Sequence, residues 1–309
     1  MGPKPRVRSP GQPLHELRVR EKTLVRYRTV LMGFVIFLMQ HQWDPMTSDD
    51  LDDALTLYGD SMLVGRGEYG TLLSAVRFFL PRVKRDLDLS SATLSGWQAV
   101  QPISHTTPMM WVFVLAIGRA LGLLGLCVLA SALIVQFEAY LRPSEILGLT
   151  KDRVFLPEFC PAFLGGGCFI VLGEPEVGTK VNRQQFVQLH RPLAIAALRA
   201  LFYLAAPGGR LVPYTYSQYK RALSASIVRL NLSHLNFSVG SPRPGSATQD
   251  ILDGKLFSYV QNRGRWKHEK TCRIYLDVAS ALALQTTSAA QPFFHLVHNP
   301  VLPPGILRY

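Results

Sequence analysis

Apolar and polar positions change their period along this 309-residue chain, and each change predicts an element. Over residues 15–42 the side chains of Leu24, Tyr27, Val30, Leu31, Phe34, Phe37 and Leu38 recur three or four apart, the mark of an amphipathic helix. Residues 46–63, MTSDDLDDALTLYGDSML, predict a second helix. Thr47 or Ser48 can cap it, and its acids fall in the first turn, where the helix dipole favours them. A third helix is expected over residues 67–87, broken near Pro81. Residues 90–108 are rich in Ser, Thr and Pro and read as a linker.

The pattern then turns strongly apolar. Residues 111–135, WVFVLAIGRALGLLGLCVLASALIV, are long enough to span a bilayer. Arg119 inside the run would cost about 2.5–3.5 kcal/mol near a bilayer centre. The glycines, and the amphipathic QFEAYLRPSEI that follows, also fit two buried helices. Next come GGGCFIVLG and RQQFVQLH, short apolar or alternating runs around a polar turn, which predict strands of a small sheet. Helices are expected at 191–206 (ending at Pro207-Gly208-Gly209), at 215–232, at 246–266 and from 268 to 284. The last two are joined by a turn at Gly264, and the tail from Gln291 is Pro-rich and apolar.

Charge is unevenly spread. The net charge is +12, yet residues 1–100 hold 13 Lys/Arg against 11 Asp/Glu and residues 161–309 hold 16 against 6. A basic excess confined to one region suggests a polyanionic partner, nucleic acid or an anionic surface. An apolar content of 48% supplies a sizeable core. Cys127, Cys160, Cys168 and Cys272 show no CxxC spacing and no His pair at metal-ligand spacing, so reduced intracellular thiols are expected and no metal site.

Four motifs in the second half carry candidate chemistry. In YLRPSEILGL, Arg142 precedes Glu145 by three residues. In GTKVNRQQFVQL, Lys180 stands in the turn before a strand. In SPRPGSATQDIL, Arg243 is followed by Ala247 and Thr248. In GRWKHEKTCRIY, residues 264–275, Trp266 precedes Tyr275 by nine. Singly each has a plain reading: a surface ion pair, a solvated lysine, a packing aromatic. In this order and spacing they resemble the tyrosine recombinase (phage integrase) family over roughly residues 110–285. Two departures stand out. Arg265 lies between Gly264 and Trp266, and Gly240 occupies the position, three before Arg243, where the family carries a histidine.

The resemblance implies a mainly α (α+β) fold of the DNA breaking-rejoining type. Expected are a flexible basic arm at 1–14, a helical SAM-like core-binding domain at 15–98, a linker at 99–108, a catalytic domain at 109–287 with a three-stranded antiparallel sheet, and a tail at 288–309. It implies that Tyr275 attacks a DNA phosphate to give a 3′-phosphotyrosine, with no cofactor. Arg142 and Arg243 would fork onto the non-bridging oxygens, Lys180 would protonate the leaving oxygen, and Trp266 would donate its indole N–H. Glu145 would hold the Arg142 turn. Arg183, Arg263, Arg265, Lys267, Lys270 and Arg273 would contact DNA. The implied partners are double-stranded DNA and further copies of the chain (a tetramer on DNA), with no membrane. The implied setting is intracellular, nuclear in a eukaryote or cytoplasmic in a bacterium, and a mobile-element origin fits. The competing readings are a degenerate DNA-binding relative disabled at Gly240 (unless His234 or His268 substitutes), a type IB topoisomerase-like enzyme, and a membrane protein anchored by residues 111–135.

Overall fold

The computed structural model describes residues 13–61, 64–101, 106–159, 168–173, 185–273, 276, 290–293 and 295–298. The chain forms two compact units that divide between residues 104 and 105.

The first unit is helical: α1 (Glu21–Gln40), α2 (Ser48–Asp60), α3 (Arg66–Phe79) and α4 (Asp88–Val100). Short 3-10 turns lie at Leu14–Arg18 and Pro81–Arg85. Phe34, Phe37, Leu55, Tyr58, Tyr69, Leu72 and Leu73 make its core. Thr47 caps α2 in a reciprocal capping box with Asp50. The expected linker over 90–108 is corrected here, because α4 runs through Val100. Asp52 on α2 accepts the Leu89 and Ser90 amides (2.8 and 3.0 Å) and so caps α4 from another helix. Ser91 and Ser95 turn their hydroxyls onto carbonyls four residues back, which lets a serine-rich segment stay helical.

The second unit is built round a buried helix pair, α5 (Trp111–Leu123) and α6 (Cys127–Glu138). Gly125, at φ 74°, makes the break between them. The 25-residue apolar run is therefore two core helices, and Arg119 is exposed. α7 (Pro143–Leu147) follows at once. Then β1 (Val154–Phe155), β2 (Cys168–Leu172) and β3 (Gln185–Leu189) form an antiparallel sheet in that order, with Ile170 opposite both Val154 and Val187. Cys168, Ile170, Leu172, Val187 and Leu189 face the core.

Four helices follow: α8 (Pro192–Leu204), α9 (Tyr216–Arg229), α10 (Pro242–Leu252) and α11 (Phe257–Gly264). The single helix expected over 246–266 is two, broken at Asp253-Gly254, where Gly254 takes φ 79°. In the tail, α12 (His295–His298) is helical.

Two buried polar groups tie this unit together. Gln136 donates to the Val239 carbonyl (2.7 Å) and accepts the Tyr219 hydroxyl (2.8 Å). Glu138, 3% exposed, accepts from the His190 amide, from Arg191 Nε (2.9 Å) and from Arg263 Nη2 (2.7 Å). A buried carboxylate left unpaired would be costly, and these cations satisfy it.

Candidate active site

Three segments distant in sequence meet beside the α6–α7 corner. Tyr140 turns that corner in a left-handed conformation (φ 51°) and is fully buried. Its hydroxyl donates to Asp250 Oδ2 (2.7 Å) on α10. Burial first, then the Asp250 carboxylate, pushes its phenol well above the ordinary tyrosine range, so it stays protonated. The corner delivers Arg142 as the residue before α7, with Pro143 at the first helical position. Glu145 reaches back, accepting the Arg142 amide (2.7 Å) and its Nη1 (2.8 Å).

Arg243 enters from the first turn of α10. Met109 donates its amide to the Ser241 carbonyl (3.0 Å), and a methyl group at Gly245 would fall 1.8 Å from the Met109 carbonyl oxygen. Only glycine permits that approach. The Arg243 Nη2 donates to the Gly264 carbonyl (2.6 Å), its Nη1 lies 3.9 Å from Glu145, and its guanidinium sits 5.1 Å from the centre of the Trp266 ring.

The third segment is the end of α11. Gly264 closes the helix, Arg265 adopts φ 58°, and Trp266 packs edge-on to Tyr140. Arg265 Nη2 donates to Glu145 Oε2 (2.8 Å) and to the Tyr140 carbonyl (3.1 Å). Burial lowers the Arg265 pKa, Glu145 opposes that, and the like charge of Arg142 reinforces it.

Three guanidiniums thus surround one carboxylate, leaving the corner strongly positive. Arg142 is the most open, its side chain 41% exposed against 10% for Arg243 and 6% for Arg265. Such a corner suits an oxyanion such as a phosphate diester.

Arg142, Glu145, Arg243 and Trp266 are therefore brought together. Lys180, Arg183 and Tyr275 lie outside the described residues. Lys267, Lys270 and Arg273 are exposed, Arg273 pairing with Glu269 and covering Phe257. Arg263 and Arg265, expected to contact DNA, turn inward in this structure. Arg263 packs against the buried Glu138, which needs a cation, and over Tyr140; Arg265 packs against the half-buried Glu145. His234 and His268 are exposed. Gly240 is half-buried, its amide donating to Ser238 Oγ (3.2 Å). Sequence reasoning missed Glu138 and Asp250. The signal available for Glu138 was an acid closing an otherwise apolar helix. Among the described residues no group of three or more His, Cys, Asp or Glu could hold a metal ion.

The mostly helical architecture with its small three-stranded antiparallel sheet is the tyrosine recombinase catalytic-domain fold. Among solved structures, the chain is similar to the Tn1549 transposon integrase in complex with circular intermediate DNA (TM-score 0.60, 14% identity, 88% of this chain and 96% of that one). It is similar also to a lambda integrase dimer bound to a COC′ core site (TM-score 0.55, 12% identity, 85% and 92%). No protein-family model matches the chain, and no curated protein sequence matches it.

Proposed function

We propose that the chain is a site-specific DNA recombinase or integrase that cleaves and rejoins duplex DNA through a 3′-phosphotyrosine on Tyr275. The observation that carries this reading is the meeting of Arg142 and Arg243 at Glu145, with Trp266 against the Arg243 guanidinium, in a fold shared with solved integrases bound to DNA. Arg142 and Arg243 bind the non-bridging oxygens of the scissile phosphate and stabilise the charge that gathers there; losing one such donor typically costs ~2.7–4 kcal/mol of barrier. Trp266 adds an indole N–H. Lys180 protonates the departing 5′-oxygen. The phosphotyrosine keeps the bond energy, so a 5′-hydroxyl of a second strand reverses the step without a nucleotide cofactor. Duplex DNA is the partner, several copies assemble on it, and a mobile element is the natural source of such a chain.

The decisive experiment offers the purified protein a duplex nicked beside the cleavage site and looks for a covalent adduct on a denaturing gel. An adduct is expected, lost in Tyr275→Phe and sharply reduced in Arg142→Ala. An adduct that survives Tyr275→Phe would sink the assignment. Gly240 supports a second reading, a DNA-binding relative without turnover, since the position offers no side chain to move a proton. Salt-sensitive duplex binding with no adduct would favour it.

A further inference from the structure

Arg265, the residue between Gly264 and Trp266, has no part in the chemistry above, and two observations show that it is more than a helix end. Its backbone is left-handed at φ 58°, a conformation that glycine or asparagine fills more readily at a helix terminus. A residue needed only to end α11 would not bring a charge into the interior. Yet the Arg265 side chain is 6% exposed, and its Nε and Nη1 are buried without a hydrogen bond among the described residues. Its Nη2 holds Glu145 Oε2 at 2.8 Å, the oxygen that also accepts the Arg142 amide, while Glu145 Oε1 holds Arg142 Nη1. Arg265 and Arg142 therefore grip one carboxylate between them, and Arg265 lies closer to it than Arg243 does, 2.8 against 3.9 Å.

We propose that Arg265 is a positioning residue: through Glu145 it fixes Arg142 beside Arg243, and it adds a third positive charge to the phosphate pocket of a chain whose Gly240 supplies no side chain there. This rests on the strand-transfer reading for its purpose, but its geometry concerns anion binding and is measurable without turnover.

The test compares the full chain with Arg265→Gln, Arg265→Lys, Glu145→Gln and the Arg265→Gln/Glu145→Gln pair. Inorganic phosphate is titrated by calorimetry, and single-turnover cleavage is followed at saturating nicked duplex. Arg265→Gln should weaken phosphate binding and slow cleavage about tenfold or more while duplex affinity stays within about threefold, since the loss is of preorganised charge. Arg265→Lys should recover part of the loss. In the Glu145→Gln background, Arg265→Gln should cost less than about threefold further, because residues acting through one contact are not additive. Circular dichroism checks folding, and Arg265→Asn, which tolerates the left-handed backbone, replaces a glutamine variant that fails to fold. Phosphate affinity in Arg265→Gln within about twofold of wild type overturns the proposal. So do fully additive losses, and so does a wild-type chain that binds no phosphate. Phosphate binding that depends on Arg265, in a chain forming no adduct, refutes strand transfer and leaves the positioning role standing.

Discussion

The Trp266 indole lies in the space a side chain at Gly264 would occupy: a methyl group there would fall 1.6 Å from the ring. The tryptophan folds back over the last residue of the helix that precedes it, and the Arg243 guanidinium sits against it while donating to the Gly264 carbonyl. Gly264→Ala must displace the ring or the helix end. Overpacking of this kind costs typically ~1–3 kcal/mol. Urea unfolding should show that loss, and the covalent adduct should fall with it. Unchanged stability would mean that the indole does not rest there.

Gly240 has room for a side chain. A β-carbon there would meet Ser238 Oγ at 3.5 Å and Thr106 Cγ2 at 3.8 Å, both ordinary contacts. Gly240→His should therefore fold with little change in thermal midpoint. Proton transfer by a placed side chain contributes roughly 10²–10⁴-fold, so adduct formation should rise by about tenfold or more. The single-turnover rate decides it. No gain would show that the imidazole is not what limits this site.

How much of this is legible in the sequence depends on the range of the interactions. The Thr47 cap and the Arg142–Glu145 pair each join residues three apart, and the apolar or alternating runs of β2 and β3 are each five residues long, so local pattern alone predicts them. α4 escapes a local reading because its N-terminal amides are satisfied by Asp52, 37 and 38 residues away. The break at Asp253-Gly254 is legible as a turn dipeptide, but the helical pattern on either side of it hides the interruption. At the site, the order of the motifs suggests that Arg142 and Arg243 converge. That Arg265 turns inward is not readable, because its partner Glu145 lies 120 residues earlier.

The basic residues near Trp266 should divide into two functional classes. Arg263 is 12% exposed and pairs with the buried Glu138, so Arg263→Ala leaves a buried carboxylate short of a partner. Breaking a buried pair this way costs ~3–5 kcal/mol, read as a lowered urea midpoint. Lys267 and Lys270 are exposed. Their joint replacement by Ala should leave stability within about 0.5 kcal/mol. For every phosphate that a lysine no longer neutralises, the slope of log affinity against log salt should shrink by about 0.9. Duplex binding from low to moderate salt measures this, and an unchanged slope would remove both lysines from the DNA interface.

Alkaline pH should expose the groups that burial keeps protonated. Burial, ahead of smaller charge effects, raises the Cys168 and Cys272 thiols to about 11 from the ordinary 9.0. Burial likewise pushes the Tyr69, Tyr140 and Tyr219 phenols above the usual 10.0. A folded-state pKa above the unfolded one means the folded chain holds its proton more tightly. The associated stability is complete below the unfolded pKa and drains away as pH climbs toward the folded one. The thermal midpoint should hold level up to about pH 9, where unfolded thiols begin to ionise, then fall toward pH 11, with the tyrosines steepening the loss above about pH 10. Cys168→Ala should cost stability at pH 7 through poorer packing yet flatten the decline between pH 9 and 11. Melting curves of the two proteins across that range provide the check: parallel declines would show that the buried thiol is not one of the titrating groups.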